Sequence, residues 1–270
     1  MDSHLLYIGG YLLLGSCAGL LAGLLGVGGG IIIVPTLTML FTSQGLPAPY
    51  ISHLAIGTSL ATIIFTAISS VKAHHGHGAV DWPVFWRITP GIVIGTGVGT
   101  IVAAHLSTTF LRWLFACFIT YVALQMLLEI KPKTVRSLPA ASGIFLTGSV
   151  IGSFSSLVGI GGGSMSVPFL VWCNFPVHRA IATSAAIGLP IALAGGFGYM
   201  LNGASVQGLP RFSIGFVYVP ALVAISVASM STAPLGARLA HRLPVKGLKK
   251  AFATFLLVIA CRLLWGLIKH

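Results

Sequence analysis

Long apolar runs alternate with short polar or glycine-rich stretches along the whole chain. A membrane-spanning helix needs about 20 mostly apolar residues, and several runs reach that length. We predict spanning helices at 5–26, 51–72, 82–104, 108–129, 139–159, 179–201, 212–236 and 250–268. Two further apolar segments, 31–43 and 164–173, are too short to cross comfortably at about 1.5 Å rise per residue. The pattern therefore predicts an all-α, polytopic membrane protein.

Each short segment begins at a glycine-rich break. The first break reads GVGGGIIIVP at 26–35, and the second reads GIGGGSMSVP at 159–168. Such a density of glycine disfavours a continuous helix and suits backbone that turns or approaches something closely. Non-helical backbone at membrane depth is tolerated only where it is buried in protein or lines a cavity. We therefore expect the two breaks to face each other and to form a ligand site.

The two halves of the chain follow the same plan. SHLAIGTS at 52–59 matches VHRAIATS at 177–184, and Pro90 pairs with Pro220. We interpret residues 1–130 and 131–270 as two membrane repeats that together form one transport domain. Each repeat would contain spanning helices and a short discontinuous or re-entrant helix after its break.

Basic residues indicate how the repeats are oriented. If each break returns the chain to the side it came from, one side of the membrane holds Lys72, Arg87, Lys131, Lys133, Arg136, Arg179, Arg238, Arg242, Lys246, Lys249 and Lys250. The opposite side holds Arg112, Arg211, Arg262 and Lys269. An excess of Lys and Arg marks the cytoplasmic side, which predicts inverted repeats with both termini extracytoplasmic. Parallel repeats would put the basic loop 238–250 on the same side as its nearly uncharged counterpart near 105–111.

Composition supports a membrane protein and limits the chemistry available to it. Apolar residues make up 56% of the chain and charged residues 7%, against roughly 25% charged in soluble domains. The net charge of +12 is scattered over short loops, so membrane topology explains it and no nucleic-acid partner is expected. The only acids are Asp2, Asp81 and Glu129. None lies in the middle of an apolar run, where ion-coupled transporters often place a carboxylate.

The breaks favour anion binding over nucleotide binding. No Gly-Lys-Ser/Thr follows either break, and Ile31 stands where a dinucleotide-binding motif has its last glycine. Short helices beginning after the glycines would direct free N–H groups and a partial positive charge at the break. The candidate substrate-binding backbone comprises Gly28, Gly29, Gly30 and Ile31 in the first copy and Gly161, Gly162, Gly163 and Ser164 in the second. The alternative is that the glycines only permit tight helix crossing.

Hydroxyl groups on the paired helices are further candidates. Thr58, Ser59, Thr183 and Ser184 can donate to a substrate, or they can bond back to their own helices. Ser155 and Ser156, just before the second break, are weaker candidates.

Histidines and cysteines give less specific signals. His53 and His178 begin paired helices, where they suit an interfacial or capping role. With Arg179 they are alternatively candidates for a protonatable gate. His74, His75 and His77 lack a nearby fourth ligand, and the cysteines Cys17, Cys117, Cys173 and Cys261 lack CxxC spacing. We expect no metal, no cofactor and no enzymatic activity, since no nucleophile–base pair is evident.

The paired GxGGGxxxVP motifs, the paired AI-x-TS helices and the stretch LGARLAHRLP at 235–244 resemble the TauE/SafE family of sulfite and organosulfonate exporters. The resemblance covers nearly the whole chain. It implies transport of small anionic sulfur compounds across the bacterial inner membrane. An anion leaving an inside-negative cell gains about 2.3 kcal/mol per charge per 100 mV, so export needs no coupling carboxylate. An importer of thiosulfate or sulfite and an anion channel of the same fold stay open, as do monomer and homodimer.

Overall fold

The computed structural model describes residues 2–26, 28–128, 137–240 and 245–268. Almost all of these residues are helical. The helices are α1 Asp2–Leu25, α2 Gly30–Ser43, α3 Ile51–Gly76, α4 Trp82–His105, α5 Thr108–Leu127, α6 Ala141–Val158, α7 Gly163–Trp172, α8 Val177–Gly203, α9 Val219–Ala240 and α10 Val245–Ile268. A 3₁₀ turn covers Ala48–Tyr50, and strands β1 Ser213–Ile214 and β2 Val217–Tyr218 pair antiparallel.

Within the described residues, seven helices are long and apolar enough to cross a membrane, namely α1, α3, α4, α5, α6, α8 and α9. Shorter apolar helices cover Gly30–Ser43, Gly163–Trp172 and Phe252–Leu267. Large apolar side chains such as Leu13, Ile94 and Val227 are exposed on the outer faces of the bundle, where a membrane protein meets lipid. The predicted all-α, multi-pass membrane architecture is confirmed. The eighth predicted span, 250–268, corresponds to the last of the shorter apolar stretches.

Two predicted boundaries were wrong. The span predicted at 212–236 opens instead with the β1–β2 hairpin, whose turn contains Gly215 at a φ of 53°. The helix α9 then begins at Val219, with Pro220 in its first turn, where the missing N–H is tolerated. The loop predicted at 73–81 is shorter, because α3 continues to Gly76 and includes His74 and His75.

The helices of two pairs approach each other most closely where glycines line one face of a helix. On α1, a Cβ at Gly15 would lie 2.8 Å from the Cα of Ile225, and one at Gly19 would lie 2.6 Å from the Cα of Ser229. The helices α4 and α6 pack in the same way through Gly91, Gly95 and Gly99. Small residues at four-residue spacing let two backbones approach closely. Residue numbers rise together along both pairs, so α1 runs parallel to α9 and α4 runs parallel to α6.

Helices of each half pack against helices of the other half, and the pattern of contacts is the same in both directions. Helix α1 packs against α9 as α6 packs against α4, and α3 packs against α9 as α8 packs against α4. Helix α2 lies on α3, α7 lies on α8, and α3 and α8 pack directly on each other at the centre. A Cβ at Gly57 would lie 3.0 Å from Tyr199 Cβ, and one at Gly196 would lie 3.4 Å from Ala61 Cα. Because one number rises while the other falls, α3 and α8 are antiparallel.

Candidate functional site

Both glycine breaks require backbone that only glycine adopts without strain. In the first break, Gly28 and Gly29 each have a φ of 76°, and α2 begins at the next residue. In the second, Gly159 has a φ of 76° and Gly162 a φ of 75°, just before α7. These left-handed angles penalise any residue with a Cβ. The sequence therefore encodes two sharp turns between a spanning helix and a short one.

The structure brings the two breaks into backbone contact. A Cβ at Gly28 would lie 3.1 Å from the Cα of Gly161, and one at Gly30 would collide with the carbonyl oxygen of Gly159. A Cβ at Gly188 on α8 would lie 2.9 Å from the carbonyl oxygen of Gly161. The two copies of the motif therefore meet beside the central helices. Their role as a ligand site stays a prediction.

The short helices present their N-termini at the breaks. Gly29 is the N-cap of α2, and its carbonyl accepts hydrogen bonds from the N–H groups of Ile32 and Ile33, at 3.0 and 3.2 Å. Gly162 has the same role in α7, accepting from Met165 and Ser166 at 3.0 and 2.8 Å. Glycine offers no side chain to cap the first-turn N–H groups. Each break is thus next to the positive end of a helix.

The paired threonines bond to backbone away from the breaks. Thr58 Oγ1 accepts a hydrogen bond from the N–H of Tyr218, at 2.9 Å, and Thr183 Oγ1 accepts one from the N–H of Asp81, also at 2.9 Å. Each bond joins one half of the chain to the start of a long helix in the other half. We call these two bonds the crossed threonine bonds. Burial also raises the pKa of the Tyr218 phenol.

The paired serines reach the second break. Ser59 Oγ donates to the carbonyl of Gly159 at 2.9 Å. Ser166 Oγ donates to the carbonyl of Gly162 at 2.9 Å, and Ser184 Oγ lies 2.5 Å from Ser166 Oγ. Because Ser166 has one hydroxyl proton, Ser184 is the donor in the latter pair. Both Ser59 and Ser184 therefore support the backbone of the second break.

A small cavity of about 10 Å³ lies where the breaks meet, which is room for about one water molecule. Gly28 and Gly161 line it together with Thr66 and Ser70 of α3 and Gly188 of α8. The sequence pattern did not single out Thr66, Ser70 or Gly188. The available signal was the four-residue spacing of polar residues along α3, which is equally compatible with hydroxyls that bond to their own helix.

Two candidates adjacent to the glycines lie outside this cavity. Ile31 is buried in the hydrophobic core. Ser164 lines a separate cavity of about 410 Å³ with Met165 of α7, Cys117 and Gln125 of α5, and other mostly apolar residues. The structure therefore groups the glycines with Ser59 and Ser184 at the breaks, and it separates Ser164, Thr58 and Thr183 from the cavity.

The paired histidines occupy different environments. His53 is buried, with Nε2 3.0 Å from the carbonyl oxygen of Ala103 and its ring 5.0 Å from that of Phe216. His178 and Arg179 are exposed at the first turn of α8. Among the described residues, no group of three His, Cys, Asp or Glu side chains is placed to hold a metal ion.

Comparisons with known proteins cover nearly the whole chain. The family described as "Sulfite exporter TauE/SafE" matches residues 11–263. A probable membrane transporter protein of Haemophilus influenzae is 38% identical, across 92% of this chain and 95% of the relative. The probable membrane transporter YunE of Bacillus subtilis is 30% identical, across 93% and 95%. A probable membrane transporter of Methanocaldococcus jannaschii is 28% identical, across 91% of each. No solved structure matches this chain.

Proposed function

Because this chain belongs to the TauE/SafE family of membrane transporters, we propose that it carries small sulfur-containing anions, sulfite or organosulfonates, out of the cell. The observation that carries this proposal is the backbone contact between Gly28 and Gly161 beside the N-termini of α2 and α7. Two helix N-termini at one point offer N–H donors and partial positive charge to an anion. No buried Lys or Arg is then needed.

Binding would require the breaks to separate. The cavity between them has room for about one water molecule, and a sulfur oxyanion with three oxygens is larger. A carrier that opens the contact between the breaks to one side of the membrane at a time works by alternating access. The narrowness of this cavity favours a carrier over a permanently open channel.

The arrangement of the repeats supports a site at the centre of the membrane. The central helices α3 and α8 are antiparallel, as expected of equivalent helices in inverted repeats. With the basic loops facing the cytoplasm, both termini are extracytoplasmic and the protein resides in the inner membrane. The basic residues Lys131, Lys133, Arg136 and Arg242, which contribute to this orientation, lie outside the described residues.

The negative charge of the substrate and the membrane potential favour export. The sequence has three acids, and Asp81 has a structural task, since its Oδ1 accepts a hydrogen bond from the N–H of Val84 at the start of α4. Export of an anion down the potential gains about 2.3 kcal/mol per charge per 100 mV. Export of a sulfur anion therefore needs no coupling carboxylate.

The test is anion efflux from liposomes that contain the purified full chain. Vesicles loaded with sulfite at pH 8 should show saturable efflux that accelerates when the potential drives anions outward. Sulfoacetate, taurine, thiosulfate and sulfate run in parallel, and protein-free vesicles give the leak. Absence of flux for every one of these solutes contradicts the proposal.

The same vesicles separate the related mechanisms. A carrier gives faster efflux when the same anion is present on the opposite side, whereas an anion channel gives unitary currents and no such stimulation. An importer requires uptake driven by a cation gradient.

A further inference from the structure

A buried polar stripe runs along one face of α3. Thr62, Thr66, Ser70 and His74 follow each other at four-residue spacing, which places them on one side of a helix. All four are at most 2% exposed. Polar side chains inside membrane helices face the bundle interior or a water-filled cavity, so a row of them is a candidate lining for a substrate pathway. The stripe begins near the breaks, since Thr66 and Ser70 line the same cavity as Gly28 and Gly161.

The hydroxyls of this stripe differ in how they are satisfied. Thr62 Oγ1 donates to the carbonyl of Ser59 at 2.7 Å. Thr66 Oγ1 lies 2.7 Å from Ser229 Oγ on α9 and 3.1 Å from the carbonyl oxygen of Thr62. Ser70 Oγ has no hydrogen-bond partner among the described residues, although the side chain is only 2% exposed. A buried hydroxyl without a partner is unfavourable, so Ser70 has a donor available for a substrate.

The corresponding face of α8 is apolar next to the breaks. Pairing His53 with His178 aligns Thr62, Thr66 and Ser70 with Ile187, Ile191 and Gly195. His74, at the end of the stripe, aligns with Tyr199, whose hydroxyl donates to the carbonyl of Ser156 at 3.0 Å. Aliphatic side chains fill the space on that side. A Cβ at Gly195 would lie 2.9 Å from Leu60 Cδ1, and one at Gly162 would collide with Ile191 Cδ1. Next to the breaks, the polar stripe therefore belongs to one half of the molecule.

The length of the stripe matches half of a bilayer. From Thr66, which lines the cavity, to the end of α3 at Gly76 the helix rises about 15 Å at 1.5 Å per residue, and half the hydrocarbon core is about 15 Å. The stripe leads from the breaks towards the end of α3 and the loop that joins it to α4 at Trp82. Exposed Lys72 lies beside that end.

We propose that the α3 stripe forms the half-pathway between the breaks and the α3–α4 loop, with Thr66 and Ser70 contacting a small oxyanion as it passes. This inference rests on the proposed anion transport for its substrate, but not for the existence of the pathway. The stripe is at most 2% exposed, and Leu60 and Ile191 fill the space on the α8 side, so both halves are closed in this conformation and the pathway opens only during transport.

Cysteine accessibility tests the pathway without any substrate. With the four native cysteines replaced, Thr66→Cys and Ser70→Cys should react with a membrane-impermeant, sulfonate-bearing thiol reagent added on the side of the α3–α4 loop. His77→Cys in that loop is the control for sidedness, and Ile191→Cys, at the position of Thr66 in the other half, should stay unreactive. Reaction of His77→Cys without reaction at positions 66 and 70 overturns the proposal, as does equal reaction at position 191.

Flux measurements test the contact with the anion. Ser70→Val should lower sulfite efflux at least about tenfold, the effect of losing one hydrogen bond to a charged group. Ser70→Thr should restore efflux because it keeps the hydroxyl. Ser69→Ala is the matched control, since Ser69 Oγ donates to the carbonyl of Met230 at 2.9 Å and does not line the cavity. Equal efflux for Ser70→Val and Ser69→Ala overturns the contact.

The two experiments fail independently. If Ser70→Cys reacts and no tested sulfur anion is transported, the half-pathway stands and the proposed function falls. If sulfite efflux is normal and position 70 is unreactive, the proposed function stands and the half-pathway falls.

Discussion

The central helices α3 and α8 hold equivalent places in the two halves but present different chemistry. The buried face of α3 carries Thr66 and Ser70, where that of α8 carries Ile191 and Gly195. The crossed threonine bonds, by contrast, are nearly identical, with Thr58 and Thr183 each 2.9 Å from a backbone nitrogen of the other half. The crossed threonine bonds, which the two halves share, hold the halves together. The buried hydroxyls at the positions of Thr66 and Ser70 are found on α3 alone.

The breaks belong to the shared part, and changing them should have the largest effect. A leucine at Gly29 must accept a φ of 76° with its Cβ 2.9 Å from the carbonyl oxygen of Ala18. At Gly162 the φ is 75° and the obstacle is the Ile191 side chain. The left-handed conformation alone costs about 1–2 kcal/mol. We expect Gly29→Leu and Gly162→Leu each to abolish anion efflux while the protein still inserts, measured by flux and by yield in the membrane fraction.

A control and a milder substitution make this prediction sharper. Gly97→Leu should transport normally, because no atom outside its own helix lies within 4 Å of a Cβ there. Gly29→Ala should be more harmful than Gly162→Ala, because a backbone carbonyl moves less readily than the end of an isoleucine. Normal efflux by Gly29→Leu would mean that the breaks are not the site.

A second substitution makes one half resemble the other. Ser166→Ile gives α7 the residue that α2 has at Ile33. It removes the partner of the buried Ser184 hydroxyl, and leaving such a group unpaired costs about 1–3 kcal/mol. We expect the free energy of unfolding to fall by about 1–3 kcal/mol, measured by denaturation in detergent. Ser164→Ile, two residues earlier and only half-buried, is the control, and a larger loss there would contradict the hydrogen-bond account.

The smallest effect is expected at the crossed threonine bonds, and it should be equal on both sides. Thr58→Val and Thr183→Val each remove one acceptor for a backbone N–H, which costs about 1 kcal/mol. The double variant should show the sum, since the two bonds have no residue in common. Thermal unfolding in detergent measures all three. Loss of sulfite binding by Thr58→Val at unchanged stability would instead favour the substrate-binding role predicted from sequence.

Much of the fold is readable from the sequence because bilayer thickness and glycine constrain it strongly. Apolar runs of about 20 residues located the spanning helices, and the four-residue glycine spacing of α1 and α4 is typical of close-packed helix faces. The hairpin at 213–218 was missed because its residues are as apolar as those of the helix that follows. Hydropathy alone does not separate two short strands from a helical turn.

The site is less readable because hydroxyl groups have several possible partners. Thr58 and Ser59 are adjacent in sequence, yet one bonds to Tyr218 and the other to Gly159. Only tertiary packing decides between these partners. The same holds for Ser70, whose hydroxyl does not bond back to its own helix, although membrane serines commonly do.

The packing of each half against the other has a consequence for synthesis. Helix α1 is made before α9, but its glycine face packs against α9, and the N–H of Asp81 donates to Thr183 Oγ1. The amino-terminal half therefore leaves the ribosome before the surfaces that complete it, so we expect the fold to close only after α9 has been inserted. A nascent chain that stops after α5 would leave the glycine face of α1 without its partner helix.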